Sequence, residues 1–346
     1  MAIRRAVVLF ALWLTGSSAQ AAQDAVAAPG LEPLPIDAQS VTVSGLSSGG
    51  AMAVQFHTAH SNLVQGAGVI AAGPYLCAEG SVQLALGRCM KDGAQIPTAQ
   101  LLQQADRLAG EGRIDPVAGL AGDRVWLYHG AQDPYVNVTV VDALEAYYRA
   151  RVGAANVVRV EREGASHNFP TTRTDAAACA TSAAPYVANC GLDGARQLLE
   201  QLYGPLATGA EATALAPLVE FDQRPYAAAA GSVTLADRGW LYVPTACRAT
   251  KAANCRLHVV FHGCKQGASE IGDAFMRGAG YLEVAESNRI VLLFPQVKPT
   301  LTPLNPLGCW DWWGIEGADY ATRDGRQIRA VRAMVGALLG ETAAVH

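Results

Sequence analysis

The stretch VTVSGLSSGGAMAVQFH, residues 41–57, decides the fold of this chain. A β-branched run leads into a Gly-x-Ser-x-Gly motif at residues 45–49, and a helical stretch follows the motif. A strand, this motif and a helix in that order predict a nucleophile elbow, a sharp turn that holds a serine at the carboxyl edge of a sheet. We assign Ser47 rather than Ser48 as the nucleophile, because the two glycines of the motif flank Ser47 symmetrically.

The motif by itself is weak evidence, because chance matches are common in a chain with 35 glycines. The alternative is an ordinary turn of small residues. The motif also stands early, since hydrolases with this elbow usually place the strand and loop of the oxyanion site before it. Residues far along the chain must therefore decide between an elbow and a simple turn.

The composition of the 346-residue chain indicates a globular protein, with 51% hydrophobic and 16% charged residues. The formal net charge is −4 and there is no basic run, which argues against a nucleic-acid-binding surface. A basic pair, the apolar run 6–14 and a small-residue cleavage site predict a signal peptide over residues 1–21. An uncleaved anchor is the alternative, but nine apolar residues are too few to span a bilayer. We therefore expect secretion of residues 22–346, to the periplasm or outside the cell.

Eight cysteines, an even number in an exported chain, predict a set of disulfides. Eight cysteines allow 105 pairings, so the count alone does not choose among them. Three pairs are close neighbours in sequence, and the last two cysteines remain for each other, which gives the pairing Cys77–Cys89, Cys179–Cys190, Cys247–Cys255 and Cys264–Cys309. There is no C-x-x-C pair and no cluster of histidines and cysteines, so neither a zinc site nor any other metal or cofactor is predicted.

Short β-branched runs alternate with helical stretches along the chain, which is the α/β pattern. Residues 204–238 interrupt it with an Ala-, Gly- and Pro-rich segment of weak periodicity, which predicts a long and partly helical connection. Neither side of this segment carries enough strands for a complete hydrolase sheet. We therefore predict a single domain over residues 22–346, with one sheet built from both sides.

A nucleophilic serine needs a base, and the base needs a group that orients it. In α/β hydrolases these follow in the order Ser, Asp, His, on loops after later strands. Asp133 follows a predicted strand at 123–130, and His167 follows a predicted strand at 156–164. Taken singly, Asp133 could be a turn residue and His167 a solvated loop histidine, but their register with Ser47 favours a triad.

Acyl transfer also needs two backbone N–H groups to bind the oxyanion. The residue after the nucleophile, Ser48, is one donor, and a His-Gly loop after another strand supplies the second. The candidate loop is His-Gly-Cys at residues 262–264, which comes after His167 instead of before Ser47. A circular permutation, in which the N-terminal strands have moved to the C-terminal side, explains both this order and the early elbow. Residues 204–238 then join the former chain ends.

The motifs GLSSGGAM, HGAQDPYVN, SHNFPT, FDQRPY, GWLYVPTAC, CRLHVVFHGCKQG, LLFPQ and NPLGCWDWWG occur in this order. Together they resemble the extracellular poly(3-hydroxybutyrate) depolymerases of the single-domain type, over residues from about 40 to about 340. The resemblance implies a circularly permuted α/β-hydrolase fold, with a mostly parallel central sheet and helices on both faces. It also implies a triad of Ser47, Asp133 and His167, with Ser48 and Cys264 as the oxyanion donors.

Trp310, Trp312 and Trp313 place three of the six tryptophans within four residues. Aromatic side chains offer large apolar contact to a polyester chain, so we predict these three as substrate-binding residues. A packed core cluster is the alternative, and one tryptophan in the cleft with the others packed behind it would satisfy both.

The predicted function is that of a secreted serine esterase that hydrolyses poly(3-hydroxybutyrate), or related short-side-chain polyhydroxyalkanoates and their oligomers, through a triad and an acyl-enzyme. Two alternatives stay open: another secreted carboxylesterase, acting on feruloyl, acetylxylan or aromatic polyesters, and a non-catalytic polymer-binding protein. The expected partner is a polyester or oligoester substrate. We expect no nucleic acid and no membrane as partners, and a monomer.

Overall fold

The computed structural model describes residues 28–207, 214–248 and 254–341, so the predicted signal peptide lies outside the described residues. The described strands, in chain order, are β1 (Ile36–Leu46), β2 (Val64–Ile70), β3 (Arg124–Gly130), β4 (Val157–Arg162), β5 (Phe169–Thr171), β6 (Ala177–Ala178), β7 (Val187–Asn189), β8 (Leu218–Asp222), β9 (Arg238–Tyr242), β10 (Cys255–Phe261) and β11 (Ile290–Phe294). The described α-helices are α1 (Ser48–Ala59), α2 (Val82–Leu86), α3 (Thr98–Gly110), α4 (Val138–Val152), α5 (Gly194–Tyr203), α6 (Arg224–Ala230), α7 (Ala268–Ile271), α8 (Ala274–Gly278), α9 (Tyr281–Asn288) and α10 (Arg326–Leu339).

Eight strands form one sheet in the order β4-β3-β2-β1-β10-β11-β9-β8. The pairs from β4 through β11 are parallel, whereas β9 runs antiparallel to both of its neighbours. The first strand of the chain therefore lies in the middle of the sheet, directly beside β10 from the C-terminal part. A permuted chain requires this neighbour relationship, because the strands that would precede the elbow have to reach it from the far end of the sequence.

The sheet is covered on both faces, as predicted. Val41 and Val43 on β1 point into one core, which also contains apolar side chains of α1 and α10. Leu46 lies in a second core, together with side chains of α5 and α9. Successive residues of a strand point to opposite faces, so the central strands are buried on both sides.

The segment 204–238 contains more regular structure than the sequence pattern predicts. Strand β8 lies within it and pairs with β9 at the edge of the sheet, and the short helix α6 follows β8. Only Phe221 of β8 is fully buried, whereas Val219 is 40% exposed. A short edge strand of this kind is stabilised by its ladder hydrogen bonds more than by burial, so its sequence carries only a weak strand pattern.

The structure contains the four predicted disulfides: three between neighbouring cysteines, Cys77–Cys89, Cys179–Cys190 and Cys247–Cys255, and the remaining pair Cys264–Cys309. In the three described ranges, every helix is too short or too polar to cross a membrane.

Candidate active site

Ser47 occupies the sharp turn between β1 and α1, with a φ of 59° that places it in the left-handed region. Such a conformation is unfavourable for a residue with a side chain and points to a functional constraint. The flanking glycines permit the turn: a Cβ on Gly45 would lie 2.2 Å from the carbonyl oxygen of Gly49. A Cβ on Gly49 would lie 2.3 Å from the carbonyl oxygen of Phe261, at the end of β10. Glycine is therefore required at both positions, because the backbone of neighbouring segments approaches too closely for a side chain. A nucleophile elbow has the same requirement.

Asp133 and His167 lie on the loops after β3 and β4 and are hydrogen-bonded to each other. The Nδ1 atom of His167 lies 2.6 Å from Oδ2 of Asp133. The other carboxylate oxygen accepts hydrogen bonds from the backbone N–H groups of Tyr135, at 2.8 Å, and Val136, at 2.9 Å. This arrangement assigns the Nδ1 proton to the bond with Asp133 and leaves Nε2 free to exchange a proton with substrate.

The side chain of Asp133 has no exposed surface. Burial acts to raise the pKa of this carboxyl, but the bonds from His167 and from the two backbone amides outweigh burial, and the pKa lies below its usual value. Asp133 is therefore a carboxylate at neutral pH, able to orient His167 and to stabilise its protonated form.

Two cavities border Ser47. The first, of about 150 Å³, has both Ser47 and His167 in its wall, and we call it the larger cavity. Its lining residues are Leu46, Ser47, Met90, Tyr135, His167, Tyr186, Gly263, Cys264, Lys265, Gln266 and Leu307. Among the described residues, the hydroxyl of Ser47 has no hydrogen-bond partner. Catalytic hydrogen bonds are often long in a free enzyme and tighten when substrate binds.

The loop 262–264 lies directly against the elbow. A Cβ on Gly263 would be 3.6 Å from the Cβ of Ser47. The backbone N–H groups of Ser48 and Cys264 donate to no other group among the described residues, whereas the N–H of Gly263 donates to Oε1 of Gln266 at 2.6 Å. Ser48 directly follows Ser47, and Cys264 lines the same cavity as Ser47, so both free N–H groups are candidates for donors to an oxyanion.

The side chain of His262 links this loop to the backbone at Val297. Its Nδ1 lies 2.7 Å from the carbonyl oxygen of Gly263, and its Nε2 lies 3.2 Å from the backbone nitrogen of Val297. Because a carbonyl only accepts and an N–H only donates, the proton resides on Nδ1. Burial lowers the pKa of His262 to about 4, so the ring is neutral at pH 7 and keeps both bonds.

The three predicted tryptophans have different surroundings. Trp310 is fully buried, with its ring centroid 4.9 Å from that of Phe261. Its burial corrects the prediction that Trp310 binds substrate, since this residue packs against Phe261 and His262 in the interior. Trp312 is half-buried and lines a second cavity of about 30 Å³. Trp313 is also half-buried and meets the ring of Trp312 edge-on, with centroids 5.2 Å apart.

The second cavity, which we call the smaller cavity, shares Ser47 and Met90 with the larger one, whereas the rest of its wall is different. Its lining residues are Ser47, Ser48, Ala51, Ala71, Ala72, Gly73, Cys89, Met90, Val136 and Trp312. Most of these side chains are small and apolar. The smaller cavity therefore admits only a small apolar group next to the serine.

Asp311 shapes the segment that carries Trp312. Its carboxylate accepts hydrogen bonds from the backbone N–H groups of Gly314, Ile315 and Glu316, at 2.7, 2.7 and 2.8 Å. Burial raises the pKa of Asp311 to about 6, although these three bonds act in the opposite direction. Asp311 was absent from the sequence prediction, because an aspartate between tryptophans gives no sign that it is buried.

Eight further residues in the wall of the larger cavity were not predicted as site residues. Leu46, Gly263 and Gln266 belong to the motifs that contain Ser47 and Cys264. Tyr135 is two positions after Asp133, and Lys265 directly follows Cys264. The other three, Met90, Tyr186 and Leu307, come from separate loops, and of these only Leu307 lies within a motif, NPLGCWDWWG. Only the tertiary structure brings those loops to the serine.

Comparison with known proteins gives two curated relatives, whereas no protein-family model matches the chain. A poly(3-hydroxybutyrate) depolymerase of Delftia acidovorans is 44% identical over 311 residues, which cover 89% of this chain and 61% of that protein. The chain thus spans less than two thirds of the length of this relative. A polyhydroxybutyrate depolymerase of Talaromyces funiculosus is 36% identical over 321 residues, which cover 88% of this chain and 91% of that protein.

Solved structures show the same likeness. The crystal structure of a PHB depolymerase from Penicillium funiculosum superposes with a TM-score of 0.83 at 32% identity, and covers 90% of this chain and 99% of that one. A serine-to-alanine variant of a PHB depolymerase, complexed with an R3HB trimer, matches with the same TM-score, identity and coverage.

Proposed function

Since this chain belongs to the poly(3-hydroxybutyrate) depolymerase family, we propose that it hydrolyses the ester bonds of poly(3-hydroxybutyrate), or of related short-side-chain polyesters and their oligomers. The observation that carries the proposal is the convergence on one cavity of Ser47 on a strained elbow and His167 bonded to a buried carboxylate. The R3HB trimer bound to a structural relative supports the same class of substrate.

In the proposed first step, Nε2 of His167 takes the proton of Ser47 as its oxygen attacks the ester carbonyl carbon. The carbonyl oxygen becomes an oxyanion, which the N–H groups of Ser48 and Cys264 stabilise by hydrogen bonds. Asp133 stabilises the imidazolium that forms.

When the tetrahedral intermediate collapses, the bond between the carbonyl carbon and the alcohol oxygen breaks. His167 returns its proton to that oxygen, and the alcohol fragment leaves. Water then attacks the acyl-enzyme with His167 as the base again, and Ser47 is regenerated as the acid fragment departs. Each proton that His167 accepts is returned within the cycle.

The two cavities suggest how substrate lies across Ser47. The leaving oxygen has to reach His167, which lines only the larger cavity. We therefore assign the leaving alcohol fragment to the larger cavity and the acyl fragment to the smaller one. Trp312 would cover the acyl side, and Trp313 would support its ring. The alanines and the glycine of the smaller cavity suit the methyl side group of 3-hydroxybutyrate better than a long side chain.

We propose that the protein acts outside the cytoplasm and that it is a monomer. Four disulfides in one chain support the location, because disulfides persist in oxidising compartments. Light scattering on the purified protein tests the oligomeric state.

The function is tested with three substrates side by side: a film of amorphous poly(3-hydroxybutyrate), the soluble R3HB trimer, and a feruloyl or acetyl sugar ester. Clearing of the film and release of 3-hydroxybutyrate products are expected, with little turnover of the sugar esters. Good feruloyl turnover without clearing would indicate another carboxylesterase, and no turnover of any ester would indicate a binding protein.

A fluorophosphonate probe tests the nucleophile. Wild-type protein and the control Ser269→Ala, a substitution on the exposed side of α7, should be labelled, whereas Ser47→Ala should not. Equal labelling of Ser47→Ala would reject the assignment of Ser47.

A further inference from the structure

In the proposed function, the larger cavity receives the leaving alcohol fragment. The direction of the polyester chain determines which end of the chain this fragment contains. In a 3-hydroxyalkanoate chain, the alcohol oxygen of every ester belongs to the unit on the carboxyl-terminal side. Cleavage therefore sends the carboxyl-terminal piece into the leaving side of the site. In a short oligomer this piece ends in a free carboxylate only one or two units from the broken bond.

Lys265 stands at this side of the site. It lines the larger cavity beside Cys264, and within the described part of the chain it is the only lysine, arginine, aspartate or glutamate in that wall. Its side chain is exposed. Lys298 pairs with Asp237 at 3.1 Å, but Lys265 pairs with no carboxylate in the part of the chain that the structure describes. Its ammonium group is thus available to an anion in the cavity.

The backbone of Lys265 is held in place although its side chain is free. Its φ is 59°, and its N–H donates to the carbonyl oxygen of Leu307 at 2.7 Å. The disulfide between Cys264 and Cys309 ties the preceding residue to the same neighbouring segment. A lysine on a fixed backbone keeps a constant position for its positive charge, while its flexible stem allows the charge to follow fragments of slightly different length.

We propose that the ammonium group of Lys265 binds the terminal carboxylate of a short oligoester acid, and so favours cleavage close to the carboxyl end of the chain. This inference rests on the proposed esterase function and adds a preference for chain ends to it. A neutral interior segment of polymer gains nothing from Lys265. The enzyme would therefore convert soluble oligomer acids faster than equivalent neutral oligomers.

The size of the preference for the oligomer acid depends on how exposed the ion pair between Lys265 and the substrate carboxylate is to solvent. Solvent-exposed ion pairs are weak, and the corresponding gain in kcat/KM is about two- to fivefold at low salt. Salt should reduce the gain, because charges that face solvent are screened.

The test compares the R3HB trimer as the free acid with the same trimer as its methyl ester, which removes the negative charge but keeps the chain. The quantity measured is the ratio of kcat/KM for the acid to that for the methyl ester, at pH 7 and low ionic strength. Wild-type protein, Lys265→Arg and the control Lys298→Met, which lies outside the cavity wall, should share one ratio. In Lys265→Met this ratio should fall about two- to fivefold, and in Lys265→Glu it should fall further.

An equal ratio in wild-type protein and in Lys265→Met would overturn the inference, including the case in which both substrates slow down equally. A failure of the wild-type protein to cleave either trimer is a different result, since it rejects the proposed function and the inference with it. Far-UV circular dichroism checks that each variant is folded before the ratios are compared.

Discussion

The Nε2 atom of His258 lies 2.7 Å from the hydroxyl oxygen of Ser44, and this buried contact joins the strand of the elbow to the strand of the oxyanion loop. Nδ1 of the same ring lies 2.7 Å from the hydroxyl of Thr42. One side chain on β10 therefore bridges two hydroxyl groups on β1, in the strand that ends at Leu46, the residue before Ser47. The contact connects the N-terminal and C-terminal parts of the sheet next to the site. The site contains residues from both parts, since β1 leads to Ser47 and β10 leads to the loop 262–264.

Replacement of His258 by leucine is expected to lower the free energy of unfolding by about 1–3 kcal/mol, because two buried hydrogen bonds are lost and each contributes about 0.5–1.5 kcal/mol. The hydroxyls of Thr42 and Ser44 keep their contacts with the hydroxyls of Tyr203 and Tyr281, both at 2.7 Å, so neither is left without a partner. Urea denaturation at pH 7.5 measures the loss. The exposed substitution Lys298→Met serves as the control and should change stability by less than about 0.5 kcal/mol. A His258→Leu protein as stable as wild type would show that the bridge does not support the sheet.

Acid should destabilise the protein, beginning near pH 6. Burial lowers the pKa of His60 and of His258 to about 3, and that of His262 to about 4, whereas histidines in an unfolded chain titrate near 6.5. Below about pH 6.5 the unfolded chain binds protons that the native protein does not, so the free energy of unfolding falls with pH. Asp311, with a pKa of about 6, and Asp123 act in the opposite sense, because burial raises the pKa of both carboxyls, but they are two groups against three.

Urea midpoints between pH 7.5 and pH 4.5 measure this effect. The variant His60→Gln should show a shallower decline than wild type, since one of the three histidines no longer takes up a proton on unfolding. A stability that stays level, or that rises as the pH falls over this range, would contradict the prediction.

Substitution of Asp133 by asparagine should reduce kcat on the R3HB trimer by about three to four orders of magnitude with little change in KM, because the amide cannot hold His167 in the productive tautomer. Steady-state kinetics on the trimer measure both constants. Asp324→Asn, which alters an exposed ion pair with Arg113, is the matched control and should leave kcat unchanged. A decrease of less than tenfold for Asp133→Asn would exclude Asp133 as the orienting carboxylate.

Alanine substitutions of Trp312 and Trp310 should have different effects, on KM in the first case and on stability in the second. Trp312→Ala should raise KM for the trimer about five- to fiftyfold, since an aromatic wall of the smaller cavity is lost, and should alter the hydrolysis of p-nitrophenyl acetate much less. Trp310→Ala should instead lower the free energy of unfolding by about 3–5 kcal/mol through the cavity it leaves in the core. Kinetics on the two substrates and chemical denaturation distinguish them. An increase in KM from Trp310→Ala in a protein of undiminished stability would reverse these assignments.

The elbow and its partners could be predicted from the sequence because each depends on local rules. The glycines at residues 45–49 are needed for backbone approach, whatever surrounds them, and that need is visible in the sequence as a fixed spacing. Asp133 and His167 follow strands, and parallel strands of one sheet bring their carboxyl ends to one edge. The paired cysteines were close in sequence, with the exception of Cys264 and Cys309, which were paired by elimination.

Other parts of the site depend on packing between segments that are distant in sequence. The three tryptophans look equivalent in sequence, yet Trp310 is buried, and Trp312 lies at the smaller cavity. Helix and strand propensities did not reveal β8, because an edge strand is held by its pairing with β9. Met90 and Tyr186 lie in no motif, Leu307 lies in a motif that gave it no predicted role, and only the fold places their loops around Ser47.

The sequence by itself therefore determined the order of the proposed site: a serine in a sharp turn, a carboxylate and a histidine on successive loops, and a His-Gly-Cys loop on the C-terminal side. Backbone sterics and strand polarity act over a few residues, so they leave a pattern that can be read along the chain. The tertiary structure alone decided which side chains form the walls of the two cavities, that Trp312 lines one of them while Trp310 is buried, and that Lys265 has no carboxylate partner among the described residues. Those properties arise from contacts between distant segments, and their energies depend on burial, which no single stretch of sequence specifies.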